Sequence, residues 1–231
     1  MNKLIELRHV SKAYPVAGTM KDVLHDISLD IYAGEFVAIV GASGNGKSTL
    51  LNLLTGIDHP SQGEIIINSK PIHTFGSEKL TAWRCAHVGI VFQFFQLLPA
   101  LSLWQNIVLP MDFLGELPKR QRHERAMLLL DSVGLADEAH RLPSQVSGGQ
   151  QQRAAIARAL ANDPELIVAD EPTGNLDETT AESVFKLFAH LHDQGKTLVM
   201  VTHNESLANA TTRKLEIHAG RLQANASTVL I

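Results

Sequence analysis

An apolar, largely β-branched pentad, Phe36-Val37-Ala38-Ile39-Val40, runs straight into Gly41-Ala42-Ser43-Gly44-Asn45-Gly46-Lys47-Ser48 and then into Thr49-Leu50-Leu51-Asn52-Leu53-Leu54. The pentad has the composition of a strand buried on both faces, and the closing segment that of a helix stopped by Gly56. Between them the octad fits G-x-x-x-x-G-K-[ST], in the strand–loop–helix setting on which that pattern's chemistry depends. Glycines let the backbone curl so that successive N–H groups point inward at phosphate oxygens. The following helix adds roughly half a positive charge at its N-terminus, and Lys47 supplies a full charge for the β- and γ-phosphates. A nucleoside triphosphate is not neutralised by these alone, so a divalent cation is expected, with the Ser48 hydroxyl as a ligand.

The rest of the chain alternates strand and helix, with one interruption. Paired strands are expected at 4–10 and 23–31, the latter ending at the turn Ala33-Gly34-Glu35, with further strands at 64–67 and 88–92. Between 94 and 163 the character turns helical. Residues 101–113 and 119–133 have helical periodicity, Pro110 being placed to kink or end the first, and 147–161 makes a third helix rich in alanine, glutamine and arginine. This stretch reads as a helical subdomain inserted into a core made of about 1–93 and 164–231, the whole forming a single domain over 1–231. The strand pattern resumes at 166–170 and again at 197–201. Between them a helix puts Ala181, Val184, Phe185, Phe188 and Leu191 on one face and stops at Gly195. Such alternation predicts a mostly parallel sheet covered on both faces, with ligands at the carboxyl ends of its strands. The residues richest in chemistry, Gly41 onward, Asp170-Glu171 and His203, lie just past those ends and are expected to converge on one site.

Leu166-Ile167-Val168-Ala169-Asp170-Glu171 complements the phosphate loop, since its apolar residues bury the strand and deliver two carboxylates at the exposed end. Asp170 is expected to reach Mg²⁺ through water, and Glu171 to orient or polarise the attacking water for in-line displacement. Ser147-Gly148-Gly149-Gln150 opens a helix, with Ser147 as its N-cap and the glycines allowing close backbone approach, which is a second anion site. An ordinary capped helix would explain that quartet equally well if it stood alone.

The longer string Val146-Ser147-Gly148-Gly149-Gln150-Gln151-Gln152-Arg153 closely resembles the signature of the ATP-binding-cassette (ABC) ATPases, with Val146 in place of the more usual leucine. Other family elements follow in the expected order over nearly the whole chain. Tyr14 resembles the aromatic that stacks on adenine, and Gln93 the Q-loop glutamine that contacts Mg²⁺ or the attacking water and senses the transmembrane partner. Asn175-Leu176-Asp177 resembles the D-loop, and His203 the switch histidine near the γ-phosphate. Singly, each has a bland structural explanation: a strand aromatic, a polar strand end, a helix cap, a loop histidine. Together they imply a P-loop NTPase (RecA-like) fold, with a mostly parallel sheet core, an N-terminal antiparallel β subdomain and an inserted helical subdomain. They further imply an ATPase that binds ATP and Mg²⁺, through Gly41, Ala42, Ser43, Gly44, Asn45, Gly46, Lys47, Ser48 and Thr49 with Tyr14. Ser48, Gln93 and Asp170 are the implied metal ligands. The resemblance implies a head-to-tail homodimer, in which Ser147, Gly148, Gly149 and Gln150 act on the partner's nucleotide.

Phe92-Gln93-Phe94-Phe95-Gln96-Leu97-Leu98-Pro99 with Asn106, and Glu171-Pro172-Thr173-Gly174-Asn175-Leu176-Asp177, resemble the ATPases of macrolide exporters, lipoprotein-release complexes and their cell-division relatives. That implies a transporter or mechanotransmission ATPase with separate transmembrane permease subunits, and residues 94–99 offer aromatics either for a partner helix or for internal packing. A soluble, non-transport ABC ATPase is the alternative. A GTPase or kinase would leave residues 147–153 unexplained, and the Asn-Lys-x-Asp motif of guanine readers is missing.

Composition narrows the setting. A formal net charge of -4 gives no basic stripe, so no nucleic-acid partner is expected. The single cysteine, Cys85, fits a reducing compartment. No run approaches the roughly 18 apolar residues of a membrane span, and the first residues have no apolar signal core. The expected location is cytoplasmic, peripheral on the inner face of the membrane, with membrane contact only through the partner. The basic run Lys119-Arg120-Gln121-Arg122 reads as a solvated helix face. His190 and His192, at i and i+2, do not share a helix face and give no metal site.

Overall fold

The computed structural model describes residues 2–223. In chain order its elements begin with β1 (Lys3–Val16), β2 (Thr19–Tyr32), β3 (Phe36–Val40), α1 (Lys47–Leu54), β4 (Gln62–Ile67), β5 (Lys70–Pro71), α2 (Ser77–His87) and β6 (Val88–Val91). They continue with α3 (Leu103–Leu114), α4 (Lys119–Ser132), α5 (Gly148–Ala159), β7 (Leu166–Asp170), α6 (Glu178–Asp193), β8 (Thr197–Val201), α7 (Glu205–Asn209), β9 (Arg213–His218) and β10 (Arg221–Leu222). The described residues form two compact units, one made of residues 2–81 and 195–223, the other of Ala82–Gln194.

The first unit holds an antiparallel sheet in the order β2-β1-β4-β5. Ile5, Leu7 and Val10 of β1 are buried with Leu24, Ile27 and Ile31 of β2; the period-two alternation is broken between Leu7 and Val10 and between Leu24 and Ile27, where the register of the pair shifts. The β1–β2 hairpin runs well past the expected ends, to Val16↔Thr19; its distal half, with Val16 and Met20 exposed, buries no apolar face, and ladder pairing carries it. In the same unit β3 lies between β8 and β9, parallel to both. All five of its residues are buried, as expected for a strand covered on two faces. β10 returns antiparallel on β9.

In the second unit β6 and β7 pair in parallel, from Val88↔Leu166 to Val91↔Ala169. Three helices separate these strands in sequence, and their common core contains Leu103, Ile107, Met111, Ala126, Leu130, Ala154 and Ala157. Alanines on the buried face of α5 let its neighbours approach closely, which explains the composition of that helix. α3 opens with a capping box, the Ser102 hydroxyl accepting from the Gln105 amide and the Gln105 side chain accepting from the Ser102 amide. The helix continues through Pro110 and stops at Gly115, whose φ of 72° suits glycine.

Five elements lie outside the sequence reading: β5, α2, α7, β9 and β10. α2 buries Leu80 and Trp83 among polar neighbours, α7 and β10 are very short, and β9 buries only Leu215 and Ile217. None offers enough periodic apolar residues to be recognised. Among the described residues no helix is long and apolar enough to cross a membrane.

Asn106 is the polar keystone of the helical core. It is 1% exposed, its Oδ1 accepts from the Leu98 amide at 2.7 Å, and its Nδ2 donates to the carbonyls of Leu98, Leu101 and Ser102. Asn106→Ala leaves buried backbone groups without partners, and urea denaturation should show a loss of about 2–3 kcal/mol.

Candidate active site

In the first unit the phosphate loop is shaped by two glycines. Gly41 has φ 147° and Gly46 φ 95°. A Cβ on Gly41 would overlap the Ile217 carbonyl oxygen, and one on Gly46 would lie 2.7 Å from Leu24 Cδ2 and 2.9 Å from the Val23 carbonyl oxygen. Both the turn and the close packing therefore demand glycine. Asn45 anchors the loop by donating from Nδ2 to the Ile217 carbonyl at 3.1 Å. The Lys47 side chain folds back along the loop, its Nζ donating to the carbonyls of Gly41 at 2.8 Å and Ala42 at 3.0 Å. Ala42, Ser43 and Gly44 are exposed, as is Ser48. No side chain caps α1 and no acidic residue lies in its first turn, so its N-terminal donors and dipole remain available to an anion.

His203 belongs to the same end of this unit. Ile39 pairs with Val201 in the parallel β3–β8 ladder, and the Thr202 amide donates to the Ile39 carbonyl at 3.2 Å. Gly41 and His203 therefore leave neighbouring strands at the same level, two residues beyond paired positions. Tyr14 is half-buried and fixed by its hydroxyl, which donates to Asp58 at 2.7 Å. Lys12 Nζ also reaches Asp58 at 2.7 Å and sits 4.8 Å from the Tyr14 ring centroid. Burial, with the Asp58 carboxylate holding the phenol proton, pushes the Tyr14 pKa up. Burial opposes ionisation of Asp58, but bonds from Lys12, Tyr14 and the His59 amide together hold its pKa below the ordinary value. Asp58 was not among the residues singled out in the sequence, where nothing marks it.

The second unit repeats the arrangement with different chemistry. Val91 pairs with Ala169, so Gln93 and Glu171 also leave adjacent parallel strands two residues beyond a paired position. The space at Gly174 shows how close they come. A Cβ built there would lie 3.1 Å from Gln93 Nε2 and 3.3 Å from Glu171 Oε2. Glu171 has φ 44°, a left-handed conformation held in a non-glycine residue. Asn175 Nδ2 donates to the Gln93 carbonyl at 3.0 Å, tying the two loops together. After Gln93, Phe95 and Gln96 have φ of 53° and 54°, which costs roughly 1–2 kcal/mol each. Arg158 on α5 donates to both of their carbonyls, to that of Phe95 at 2.8 Å. Phe94 and Leu98 remain exposed, whereas Phe95 lies 3.6 Å from the Cβ position of Gly148 and Leu97 packs on the helical core. Internal packing thus accounts for Phe95 and Leu97, and leaves Phe94 and Leu98 at the surface.

α5 begins as expected at a capped turn, the Ser147 hydroxyl accepting from the Gln150 amide at 3.3 Å and Gln150 Oε1 accepting from the Ser147 amide at 2.8 Å. Ser147 is exposed. The adjacent glycines differ. A Cβ on Gly149 would overlap Thr180 Cγ2, whereas one on Gly148 would meet nothing nearer than 3.6 Å. Gly149 thus serves packing against α6, and only Gly148 lacks a reason within its own chain. Asp177 caps α6, accepting from the Thr180 amide at 3.0 Å and hydroxyl at 2.6 Å; these bonds, the Thr180 hydroxyl first, hold its pKa below the ordinary value. Nothing in the sequence marks Arg158 or Thr180, nor the bond from Asn175 to Gln93, because these roles depend on contacts between residues distant along the chain.

A family model described as "ABC transporter" matches residues 24–174, a span containing the loop, Gln93, Ser147 and Glu171. The chain belongs to the ABC transporter family. An ABC transporter ATP-binding protein of Thermotoga maritima is 46% identical over 96% of this chain and 95% of its own length. The macrolide export ATP-binding/permease protein MacB of Sodalis glossinidius is 45% identical over 97% of this chain, which spans 34% of that longer protein. A solved dimeric, post-hydrolysis form of the ATP-binding cassette MJ0796, bound to ADP and Pi, superposes with TM-score 0.91 at 38% identity, covering 99% of this chain and 100% of that one. The ABC assignment settles the activity as that of an ATPase, the ATP-binding subunit of an ABC transporter of the MacB/MJ0796 type. Its fold is likewise that of an ABC cassette, as the sequence motifs imply.

The two glycines give a test that separates packing from binding. Gly149→Ala should lower stability by about 1–3 kcal/mol through its overlap with Thr180, while Gly148→Ala should leave it unchanged or raise it by up to about 1 kcal/mol. Chemical denaturation of both variants reads the difference.

Proposed function

We propose that this chain works as a homodimer of ATPase subunits closing head to tail on MgATP, and that closure drives a separate transmembrane permease. The observation that carries the reading is the first turn of α5, where Ser147 is exposed and Gly148 is small for no reason internal to the chain. A phosphate group approaching from a second subunit supplies that reason, since helix-terminal N–H groups favour an anion and a Cβ would stand in its way. The dimeric cassettes of MJ0796 support it, at TM-scores of 0.91 and 0.89.

In this reading residues 41–49 grip the triphosphate of their own subunit and Tyr14 stacks on its adenine. Ser147, Gly148, Gly149 and Gln150 complete the partner's site, with Asp177 at the dimer interface. Glu171 holds and polarises the attacking water, Gln93 helps to orient it, and His203 stabilises the γ-phosphate. Ser48, Gln93 and Asp170 offer the oxygen donors that Mg²⁺ accepts beside phosphate and water. Among the described residues there is no cluster of three His, Cys, Asp or Glu side chains to hold an ion without such help. When bound, Mg²⁺ offsets charge on the β- and γ-phosphates. ATP favours closure because its γ-phosphate gains the Ser147 turn only in the closed form, and hydrolysis removes that differential contact.

The exposed Phe94, at 68%, and Leu98, at 44%, offer the permease an apolar foothold beside Gln93. A permease partner places the chain peripherally on the cytoplasmic face of the membrane. The share of the MacB proteins outside the matched region is where such a partner would be fused.

Glu171→Gln should bind MgATP, lose at least about 100-fold in kcat, and elute as a dimer on size exclusion with MgATP. A monomer at saturating nucleotide and high protein concentration would overturn the head-to-tail dimer. Lys47→Ala should abolish ATP turnover, as measured by phosphate release, because it removes the loop's full positive charge.

A further inference from the structure

The loop after Gln93 is held in place by three side chains of its own unit. Asn175 bonds the Gln93 carbonyl at 3.0 Å, Asn106 bonds the Leu98 amide at 2.7 Å, and Arg158 bonds the carbonyls of Phe95 and Gln96 between them. The middle of the loop is the part that needs holding. Phe95 and Gln96 are consecutive non-glycine residues with φ near +50°, a conformation that bulky side chains keep only where the surroundings impose it. The Arg158 guanidinium meets that need in a way few groups can. Its planar fork presents several donors at fixed angles, so that one side chain satisfies two neighbouring carbonyls. Its charge is half-buried, burial holding its pKa below the ordinary value, and the bond to Phe95 is partly shielded from water.

Arg158 also lies on α5, the helix that begins at Ser147. About three turns separate the two residues, and Phe95 itself reaches back to within 3.6 Å of the Cβ position of Gly148. The helix therefore touches the loop at both ends of this span.

We infer that Arg158 is a positioning residue for Gln93: it holds the left-handed Phe95–Gln96 turn and so links the placement of α5 to the glutamine. The inference rests on the role given to Gln93 above. Its consequence for the dimer is communication between sites. α5 meets the partner's nucleotide at Ser147, and through Arg158 the same helix sets the glutamine that serves its own subunit's nucleotide.

The test is a double-mutant cycle in steady-state MgATP hydrolysis by the full chain, with amide exchange as a second measurement. Arg158→Met keeps the stem but loses the fork, and should lower kcat at least about tenfold while KM for ATP stays within about twofold. Arg158→Lys, which keeps the charge but not the fork, should recover only part of the loss and serves for the same cycle if the methionine variant does not fold. On a Gln93→Ala background either change should cost no more than about twofold further, because residues acting through one another are not additive. Amide exchange at residues 95–98 should rise about tenfold in Arg158→Met. Multiplicative losses in the double variant, or unchanged exchange at 95–98, overturn the inference alone. An unchanged kcat in Gln93→Ala overturns it together with the role of Gln93.

Discussion

Parallel strand pairing sets the geometry on which the rest of the site depends. In a parallel ladder the two strands end at the same edge, so a residue two places beyond one paired position stands beside its counterpart two places beyond the other. That rule puts Gly41 level with His203 through Ile39↔Val201, and Gln93 level with Glu171 through Val91↔Ala169. The side chains need no long loops to reach one another, because hydrogen bonds along buried strands have already fixed their starting points. Burial makes those starting points firm: all of β3, and β7 as far as Ala169, are closed to solvent.

The loops that leave these strands then spend conformational freedom in small, specific ways. Gly41 and Gly46 are glycines for both their dihedral angles and their neighbours. Glu171, Phe95 and Gln96 also adopt positive φ, without being glycines, and at Phe95 and Gln96 the holding bonds come from Arg158. Such backbone conformations persist only where the surroundings impose them.

The phosphate loop, the carboxylates after β7 and the capped start of α5 were legible in the sequence because each is local. A glycine pattern, an apolar run ending in acids and a Ser-x-x-Gln box all act within a few residues. The pairs that organise them were not legible. Arg158 with residues 95 and 96, Asn175 with Gln93, Thr180 with Gly149, and Asp58 with Tyr14 join positions far apart in the chain, and side-chain identity alone does not say where such groups end up. The same limit hid α2 and β9, whose few apolar residues leave no clear period, and it hid the exposed distal half of the β1–β2 hairpin. Pro110 failed as a helix breaker for a related reason: the helix around it is held by tertiary packing of Leu103, Ile107 and Met111, which outweighs one missing hydrogen bond.

The adjacent glycines at the head of α5 carry a genetic consequence. Alanine at 149 collides with the methyl group of Thr180, a neighbour encoded in the same chain. Trimming residue 180 to serine would remove the methyl yet keep the hydroxyl that caps onto Asp177. An intragenic suppressor is therefore available for a lesion at 149. A lesion at 148 meets no such neighbour, so no comparable trimming inside the subunit would relieve it. Suppressor screens begun from the two positions should accordingly diverge, although only one peptide bond separates them.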